Sequence, residues 1–231
     1  MPVDDNYTKS LLHFNGIDAS TTFVDESGKV WTATGNAEVD TALKVFGTGS
    51  GKFDGDVGSY ISTPHHTDFD LGALDWTYDF RIRWANVEVP EYAAMVAQYD
   101  DDGNRFMIRL HESTNIYCYY LQDSVSRWVF GITWTPTVDT WYHIAVIRHG
   151  DTPLIFIDGV SQAVTENYPI AGKDVVALSG DITIGAENGG KLINASIDEF
   201  RFSKGIARWI SNFTPPVREY IAFVPKTYWF F

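Results

Sequence analysis

Short segments in which apolar and polar residues alternate recur along this chain, and turn residues separate them at intervals of about 8–12 residues. The alternation is clearest at residues 76–84 (WTYDFRIRW) and 197–203 (IDEFRFS). A period of two is typical of β-strands that bury one face, whereas an amphipathic helix repeats every 3.6 residues. We count roughly twelve such segments and find no amphipathic helix of any length, so the pattern predicts an antiparallel β-sandwich.

The composition predicts one well-packed domain and argues against several kinds of partner. Of 231 residues, 45% are hydrophobic and 15% aromatic, and no linker interrupts residues 11–216. We therefore predict an N-terminal arm (residues 1–10), one domain (residues 11–216) and an aromatic C-terminal tail (residues 217–231). A net charge of -13 argues against binding to nucleic acid or to anionic membranes, because both need clustered basic residues.

The sequence provides neither a thiol-based site nor a membrane segment. Cys118 is the single cysteine, so no intrachain disulfide and no cysteine-based metal site can form. It lies in an apolar run and is predicted to be a small core residue. We find no basic and then apolar leader and no apolar run of about 18 residues, so we expect no signal peptide and no membrane insertion.

Two alternating segments carry charged residues whose surroundings matter. By strict alternation in residues 197–203, one face carries Asp198, Phe200 and Phe202. If that face is the core, the Asp198 carboxylate needs hydrogen bonds or a cation to stay charged. In residues 76–84, the aromatic residues are predicted to be buried, and the alternate positions Asp79, Arg81 and Arg83 are predicted to form an exposed charged face.

Six short motifs, taken in order, resemble one known family. They are residues 11–16 (LLHFNG), 46–55 (FGTGSGKFDG), 141–145 (WYHIA), 157–160 (IDGV), 184–185 (IG) and 197–201 (IDEFR). Together they resemble the laminin-G-like, concanavalin A-like lectin/glucanase domain. The ending at residues 204–216 is similar to members encoded by bacteriophages, where these domains occur in virion and tail proteins. The resemblance implies a two-sheet antiparallel jelly roll that binds carbohydrate or protein, often with one structural Ca²⁺ and usually without catalysis.

The resemblance also implies where a calcium ion would bind. The last strand of such a fold lies near the N-terminal segment, so Asp198 could be joined by Asn15, Asp25 or the carbonyl of Gly47. Ca²⁺ prefers six to eight oxygen ligands. The alternative is that Asp198 accepts hydrogen bonds from backbone N–H groups or pairs with an arginine, Arg201 or Arg208.

Aromatic and basic residues on the middle strands are the candidates for sugar binding. Sugars bind to aromatic faces flanked by polar donors. The candidates are Arg105, Arg109, Tyr117, Tyr119, Trp128 and Trp134. Because most aromatic side chains of a sandwich lie in its core, the alternative for each is a packing role.

Catalysis is the competing class of function, and the sequence argues against it. Glycosidases need two carboxyl groups on either side of the cleaved bond. The E-x-D-x-x-E strand motif of related glucanases begins at Glu38 and Asp40, but Leu43 occupies its last position. Asp198 and Glu199 are adjacent and would point to opposite faces of a strand. We therefore predict a protein that is not an enzyme.

The combined expectation is a non-enzymatic subunit of a phage particle, located on the virion exterior after synthesis in the host cytoplasm. It would act as a capsid decoration or tail protein, and the alternative is a receptor-binding module for cell-surface glycans. The tail ends in Tyr228, Trp229, Phe230 and Phe231. Such residues are costly to expose, so we expect them to contact other virion proteins or a second copy of this chain.

Overall fold

The structure, a computed structural model, describes residues 6–56, 58–89 and 91–221. These residues form seventeen β-strands and one short 3-10 helix, Thr67–Phe69. The first nine strands are β1 (Thr8–Leu12), β2 (Thr22–Val24), β3 (Val30–Thr34), β4 (Glu38–Asp40), β5 (Ser50–Asp54), β6 (Tyr60–Thr63), β7 (Trp76–Asn86), β8 (Tyr92–Asp101) and β9 (Asn104–His111). The others are β10 (Asn115–Gln122), β11 (Val125–Thr133), β12 (Trp141–His149), β13 (Thr152–Ile157), β14 (Val160–Ser161), β15 (Thr165–Tyr168), β16 (Ile182–Ile184) and β17 (Asn194–Lys204).

The strands form two antiparallel sheets, which confirms the predicted two-sheet jelly-roll sandwich. Sheet 1 has eight strands in the order β14-β13-β12-β7-β17-β5-β4, with β1 also paired to β17. Sheet 2 has nine strands in the order β15-β11-β10-β9-β8-β16-β6-β3-β2. Strand β17 pairs with β7 along one side and with β5 and β1 along the other. Since β1 and β17 are far apart in sequence, their pairing joins the two ends of the domain.

Aromatic side chains fill the space between the sheets. On β7, the five alternate residues from Trp76 to Trp84 are at most 2% exposed, as the alternation predicts. Tyr78 stacks on Phe202 of β17 with ring centroids 4.4 Å apart, and Trp76 stacks on Trp128 of β11 at 6.3 Å. Stacked pairs add about 0.5–1.5 kcal/mol to the stabilisation from burial alone. The core is therefore a continuous aromatic layer that contacts both sheets.

Strand β17 departs from strict alternation at Glu199, whose φ is +52°. The register between β17 and β7 shifts between Asp198 and Arg201, as expected for a β-bulge. As a result, Phe200 and Phe202 belong to the core while Asp198 and Arg201 lie on the outer face of sheet 1. The prediction that Asp198 shares a face with these phenylalanines is wrong, because the bulge inserts one extra residue between them.

Residues 205–221, which we call the C-terminal segment, cover part of the outer face of sheet 1. Its Trp209 and Phe213 stack on each other at 4.1 Å and pack against a small apolar cluster that includes Phe156. A Cβ atom at Gly159 would lie 1.9 Å from the carbonyl oxygen of Phe213, so only glycine allows this approach. The amide of Phe213 donates to the carbonyl of Gly159 at 2.9 Å. Sheet 1 is thus covered on both faces in this region.

A buried charge cluster lies between sheet 1 and the C-terminal segment. Arg201 donates to both carboxylate oxygens of Asp79, at 3.0 and 3.2 Å, and both side chains are fully buried. The hydroxyl of Tyr220 also donates to Asp79, and its ring lies 3.6 Å from the Arg201 guanidinium carbon. Burial alone would raise the pKa of Asp79, but Arg201 and His143 lower it to about 2. The predicted exposed charged face is therefore wrong for Asp79, because the C-terminal segment covers it.

The predicted boundaries at the two ends change in part. Residues 8–10, assigned to an N-terminal arm, belong to β1. The C-terminal tail begins inside the described region, where Tyr220 is buried. Tyr228, Trp229, Phe230 and Phe231 lie outside the described residues, so their partner contacts stay a prediction. Cys118 is buried, as expected. Among the described residues, no helix is long and apolar enough to cross a membrane.

Candidate functional site

Strands β8, β9 and β10 lie side by side in sheet 2 and determine which side chains face outward. Their register aligns Ala94 with Arg109 and Tyr117, and it aligns Ala97 with Met107 and Tyr119. Neighbouring residues on these strands, such as Ile108 and Cys118, belong to the core between the sheets. Arg109, Tyr117 and Tyr119 therefore project from the outer face of sheet 2, away from the core.

Tyr92 completes a group of four side chains that we call the tyrosine–arginine surface: Tyr92, Arg109, Tyr117 and Tyr119. The Arg109 guanidinium lies over the Tyr92 ring at 4.4 Å and over the Tyr119 ring at 5.0 Å. Tyr117 and Tyr119 are half-buried, so part of each ring remains in contact with solvent. Met107, which is fully buried, lies beneath this surface in the same small apolar cluster as Tyr92. The outer face thus presents aromatic rings packed against the guanidinium of Arg109.

A buried carboxylate holds Tyr92 in place. The Tyr92 hydroxyl donates to Glu187 Oε2 at 2.7 Å, and Arg105 Nη1 lies 3.4 Å from Glu187 Oε1. Burial and this hydrogen bond raise the pKa of Tyr92 well above its usual value, so the phenol stays protonated. Burial alone would lower the pKa of Arg105, but Glu187 raises it above its ordinary value. Arg105 therefore neutralises Glu187, and Glu187 orients Tyr92.

Several buried polar atoms on this face have no hydrogen-bond partner. They are Nε of Arg105, Nε of Arg109, Nδ1 of His111 and Oε1 of Glu187. Unpartnered buried polar atoms are rare in folded proteins and call for an explanation such as a bound ligand or water. Their grouping on the outer face of sheet 2 marks this face as the candidate functional site.

Two depressions lie at opposite ends of β8, next to the tyrosine–arginine surface. A cleft of about 410 Å³ is lined by Tyr92, Glu91, Lys191, Asn194 and further acidic residues. A smaller cleft of about 160 Å³ is lined by Tyr60, Tyr99, Asn188 and neighbouring polar residues. Both mix aromatic rings with hydrogen-bonding groups, as ligand sites do.

The structure brings together four of the six residues that the sequence suggested for sugar binding. Arg105, Arg109, Tyr117 and Tyr119 lie on the outer face of sheet 2. Trp128 is fully buried in the core, because it pairs with the core residue Tyr120, and this removes it from the candidate surface. Trp134 lies beyond the end of β11, where it packs edge-on against Tyr142 at 4.9 Å.

Sequence reasoning missed three residues of this site, namely Tyr92, Glu187 and Lys191. Tyr92 begins an apolar run (YAAMVA) in which no alternation marks an outward face. Glu187 and Lys191 belong to a turn after β16, where Lys191 Nζ lies 4.4 Å from the Tyr92 ring centroid. Only the folded structure shows that Tyr92 contacts Arg109 and that Glu187 pairs with Arg105.

Three of the four predicted calcium ligands lie together. Asp198 Oδ2 accepts hydrogen bonds from the N–H groups of Val45 and Phe46, at 2.7 and 3.1 Å, while its buried Oδ1 has no partner. The next residue, Gly47, approaches Asn15 so closely that a Cβ atom would lie 2.1 Å from Asn15 Oδ1. Burial raises the pKa of Asp198 to about 7, and the two backbone hydrogen bonds offset this only partly. The unpartnered Oδ1 of Asp198 fits an oxygen ligand of Ca²⁺, whereas Asn15 Oδ1 already accepts hydrogen bonds from the N–H group and the hydroxyl of Thr48.

The fourth predicted ligand, Asp25, does not fit. Its two carboxylate oxygens accept hydrogen bonds from four groups: Ser10 Oγ, the N–H groups of Leu11 and Ser27, and Trp31 Nε1. These donors use the available lone pairs, so Asp25 fixes the packing of β1 against β3 and has no oxygen left for a cation.

A second group of possible metal ligands lies near the N-terminal segment. Ligand atoms of His13, Glu199 and Glu219 all lie within 4.8 Å of one another. His13 Nδ1 is 2.6 Å from Glu199 Oε1, and Glu219 Oε1 accepts from Asn15 Nδ2 at 2.6 Å. Burial lowers the pKa of His13, but Glu199 outweighs burial, so the pKa is raised overall. Because each of these groups already has a hydrogen-bond partner, we interpret the cluster as hydrogen bonds that connect residues 13–15 to β17 and to the C-terminal segment.

The two antiparallel sheets and the aromatic outer face together define a lectin-like β-sandwich. The chain belongs to the family described as Laminin_G_3, concanavalin A-like lectin/glucanases superfamily, whose profile matches residues 54–207. This confirms the family resemblance found in the sequence. Among curated proteins, none matches the chain significantly.

Solved structures share the fold at low sequence identity. The binding domain of botulinum neurotoxin serotype G is 13% identical with a TM-score of 0.66, and the match covers 87% of this chain and 48% of that one. The serotype D domain in complex with N-acetylneuraminic acid is 15% identical with a TM-score of 0.64, again covering 87% and 48%. Domain 4 of the arabinanase AbnA from Geobacillus stearothermophilus, in complex with arabinotriose, is 14% identical with a TM-score of 0.64, covering 87% and 94%. This chain thus spans about half the length of the toxin domains, and these identities show the fold alone.

Proposed function

We propose that this protein is a non-catalytic glycan-binding module and that the tyrosine–arginine surface is its binding site. The observation that carries the proposal is the pair of half-buried rings, Tyr117 and Tyr119, beside Arg109 on the outer face of sheet 2. Aromatic rings present apolar faces to the C–H groups of a sugar, and the neighbouring polar groups would bind its hydroxyls. Arg105, Arg109 and His111 are partly exposed on the same face, so their N–H groups would supply such contacts.

Similar folds in glycan complexes support this proposal. Arabinotriose and N-acetylneuraminic acid are the ligands named for two of the structural neighbours. Those ligands belong to those proteins, and we transfer to this chain only the class of function. The neighbours named as binding domains also favour a binding role over catalysis.

The test is a glycan array followed by calorimetry on the strongest ligand. Tyr119→Ala removes one ring beside Arg109, and we expect it to weaken binding about 10-fold or more, as truncation of a buried aromatic contact usually does. Tyr168→Ala is the matched control, because Tyr168 lies on β15 of the same sheet and is 51% exposed. Equal affinities of wild type and the Tyr119 variant, or no bound glycan on a broad array, would refute the proposal.

We further propose that the module acts on the exterior of a phage particle. The support is the similarity of residues 204–216 to phage-encoded members, together with the aromatic tail that ends in Tyr228, Trp229, Phe230 and Phe231. The tail would contact other virion proteins or a second copy of the chain, while the outer face of sheet 2 remains available for glycan. The two roles use different parts of the molecule and can be tested separately.

We also propose one structural Ca²⁺ ion. Asp198 would bind it through Oδ1, with Asn15 and the backbone of Gly47 as further oxygen ligands. When bound, the ion would compensate the buried carboxylate and tie β17 to residues 45–48. This proposal does not involve the glycan surface.

A further inference from the structure

Arg109 is a half-buried cation in a strongly acidic protein. The chain carries 30 acidic and 17 basic residues. Arg83, Arg105, Arg127 and Arg201 each have a carboxylate within 4 Å. Among the described residues, Arg109 forms no such ion pair; its Nη1 lies 3.9 Å from the Met107 sulfur.

The surroundings of Arg109 hold its guanidinium in a fixed orientation. The Tyr92 and Tyr119 rings lie 4.4 and 5.0 Å from it, and its buried Nε has no hydrogen-bond partner. Burial lowers the pKa of Arg109 below its usual value, so the charged form is incompletely compensated by its neighbours. The guanidinium of Arg109 nevertheless stays protonated at neutral pH, because the ordinary pKa of an arginine is so high. The site therefore contains a preoriented cation that pairs with no carboxylate among the residues that the structure describes.

The planar fork of a guanidinium matches a carboxylate group, which it can bind through two parallel hydrogen bonds. The neighbouring carboxylates restrict what else could bind. Glu187 is buried beside Arg105, and Glu91 lies at the rim, paired with Lys191 at 2.6 Å. These acids and the net charge of -13 disfavour the binding of a polyanion by electrostatic repulsion. A ligand with one carboxylate surrounded by sugar hydroxyls is repelled less.

We propose that Arg109 binds the carboxylate of an acidic sugar, so that the module selects glycans that carry a uronic or nonulosonic acid residue over neutral ones. This inference rests on the proposed glycan-binding function and adds the chemical class of the ligand. The rings of Tyr117 and Tyr119 would contact the sugar ring, and Arg109 would bind the single carboxylate of the sugar.

The test compares each acidic oligosaccharide with its carboxyl-reduced, neutral form. The probes are sialylated and uronate-containing oligosaccharides, each paired with its reduced form, and affinities are measured by calorimetry. We expect wild type to bind the acidic form at least about 10-fold more tightly, because charge-assisted hydrogen bonds are roughly twice as strong as neutral ones. Arg109→Gln should remove this preference, and Arg109→Lys should retain only part of it, since lysine keeps the charge but lacks the fork.

Arg127→Gln is the matched control, because Arg127 lies on β11 of the same sheet and pairs with Asp123 at 3.5 Å. It should keep the preference for acidic sugars. Melting temperatures of all variants check that the fold is intact, and Arg109→Lys keeps the test valid if Arg109→Gln does not fold. If wild type binds neutral and acidic forms equally, the inference about Arg109 is wrong while the glycan-binding proposal stands. If neither form binds, both are wrong.

Discussion

Glu199 shows how one residue changes the faces of a whole strand. Its φ of +52° is uncommon for a residue with a side chain, and it allows β17 to insert one residue between Asp198 and Arg201. The Glu199 carboxylate offsets the cost of this backbone conformation by accepting hydrogen bonds, at 2.6 Å from His13 Nδ1 and at 2.9 Å from the amide of Tyr220. Alternation in the sequence cannot reveal this bulge, because the contacts that favour it come from residues distant in the chain.

His143 is the residue through which we expect pH to affect stability. It is 1% exposed, and its Nε2 lies 3.5 Å from Asp79 Oδ2, which is too long for a strong hydrogen bond. Burial therefore lowers the pKa of His143, and Asp79 only partly opposes this shift. Because the unfolded chain then binds the proton more readily, the free energy of unfolding should fall as pH drops below about 6.5, by up to about 1.4 kcal/mol per pH unit.

Thermal unfolding of wild type and His143→Gln between pH 5 and 8 tests this prediction. The variant should lose less stability than wild type on going from pH 6.5 to 5. His149→Gln is the control on the same strand, since His149 is exposed, and it should follow wild type. His13 has a raised pKa, so its contribution is lost only as pH rises above about 6.5 and does not confuse the test. Parallel curves for wild type and His143→Gln would contradict the assignment.

At the scale of elements, β17 connects segments from three parts of the chain. It pairs with β1, β5 and β7, and Asp198 accepts hydrogen bonds from residues 45 and 46. The sequence offered acceptance of backbone N–H hydrogen bonds as one role for Asp198, and its Oδ2 accepts two such bonds, from Val45 and Phe46. It could not distinguish this role from calcium binding, because the outcome depends on which oxygens the loop at residues 45–48 leaves free.

We predict that calcium stabilises this junction through Asp198. At a calcium concentration of about 100 Kd, binding to the folded state alone should add about 2.7 kcal/mol, which corresponds to roughly 5–10 °C in Tm for a domain of this size. Asp198→Asn lacks the charged Oδ1 and should gain little. Asp25→Asn is unsuitable as a control, because Asp25 accepts four structural hydrogen bonds. Asp101→Asn, at an exposed position, is the control, and calcium should raise its Tm as much as that of wild type. Equal melting temperatures of wild type in excess EDTA and in millimolar Ca²⁺ would remove calcium from the proposal.

At the scale of the whole molecule, the two sheets have different outer faces. The outer face of sheet 1 is partly covered by the C-terminal segment, whose Trp209 and Tyr220 pack against Arg201 of the buried Asp79–Arg201 pair. The outer face of sheet 2 carries the half-buried Tyr117 and Tyr119 around Arg109. This difference separates a face used for packing from a face available to a ligand.

For the proposed virion role, we predict that deleting Tyr228–Phe231 prevents incorporation of the protein into phage particles. The reason is that four aromatic residues at a chain end are costly to expose and would be buried in a neighbouring subunit. Glycan binding by the purified variant should stay unchanged, because the tyrosine–arginine surface lies on sheet 2. The measurement is the amount of protein in purified particles. Normal incorporation of the truncated chain would contradict the assembly role.

The sequence by itself determined the all-β class, because alternation and turn residues act locally and leave a readable pattern, and its six short motifs indicated the family and its two-sheet jelly roll. It also suggested four residues, Arg105, Arg109, Tyr117 and Tyr119, which the structure places on the outer face of sheet 2. The tertiary structure alone decided that Trp128 lies in the core and that Asp79 is buried. It also decided that Tyr92 and Glu187 are joined by a hydrogen bond. These outcomes depend on bulges, on strand register and on a segment that returns over sheet 1. Each arises from contacts between residues far apart in the chain, which no local pattern encodes.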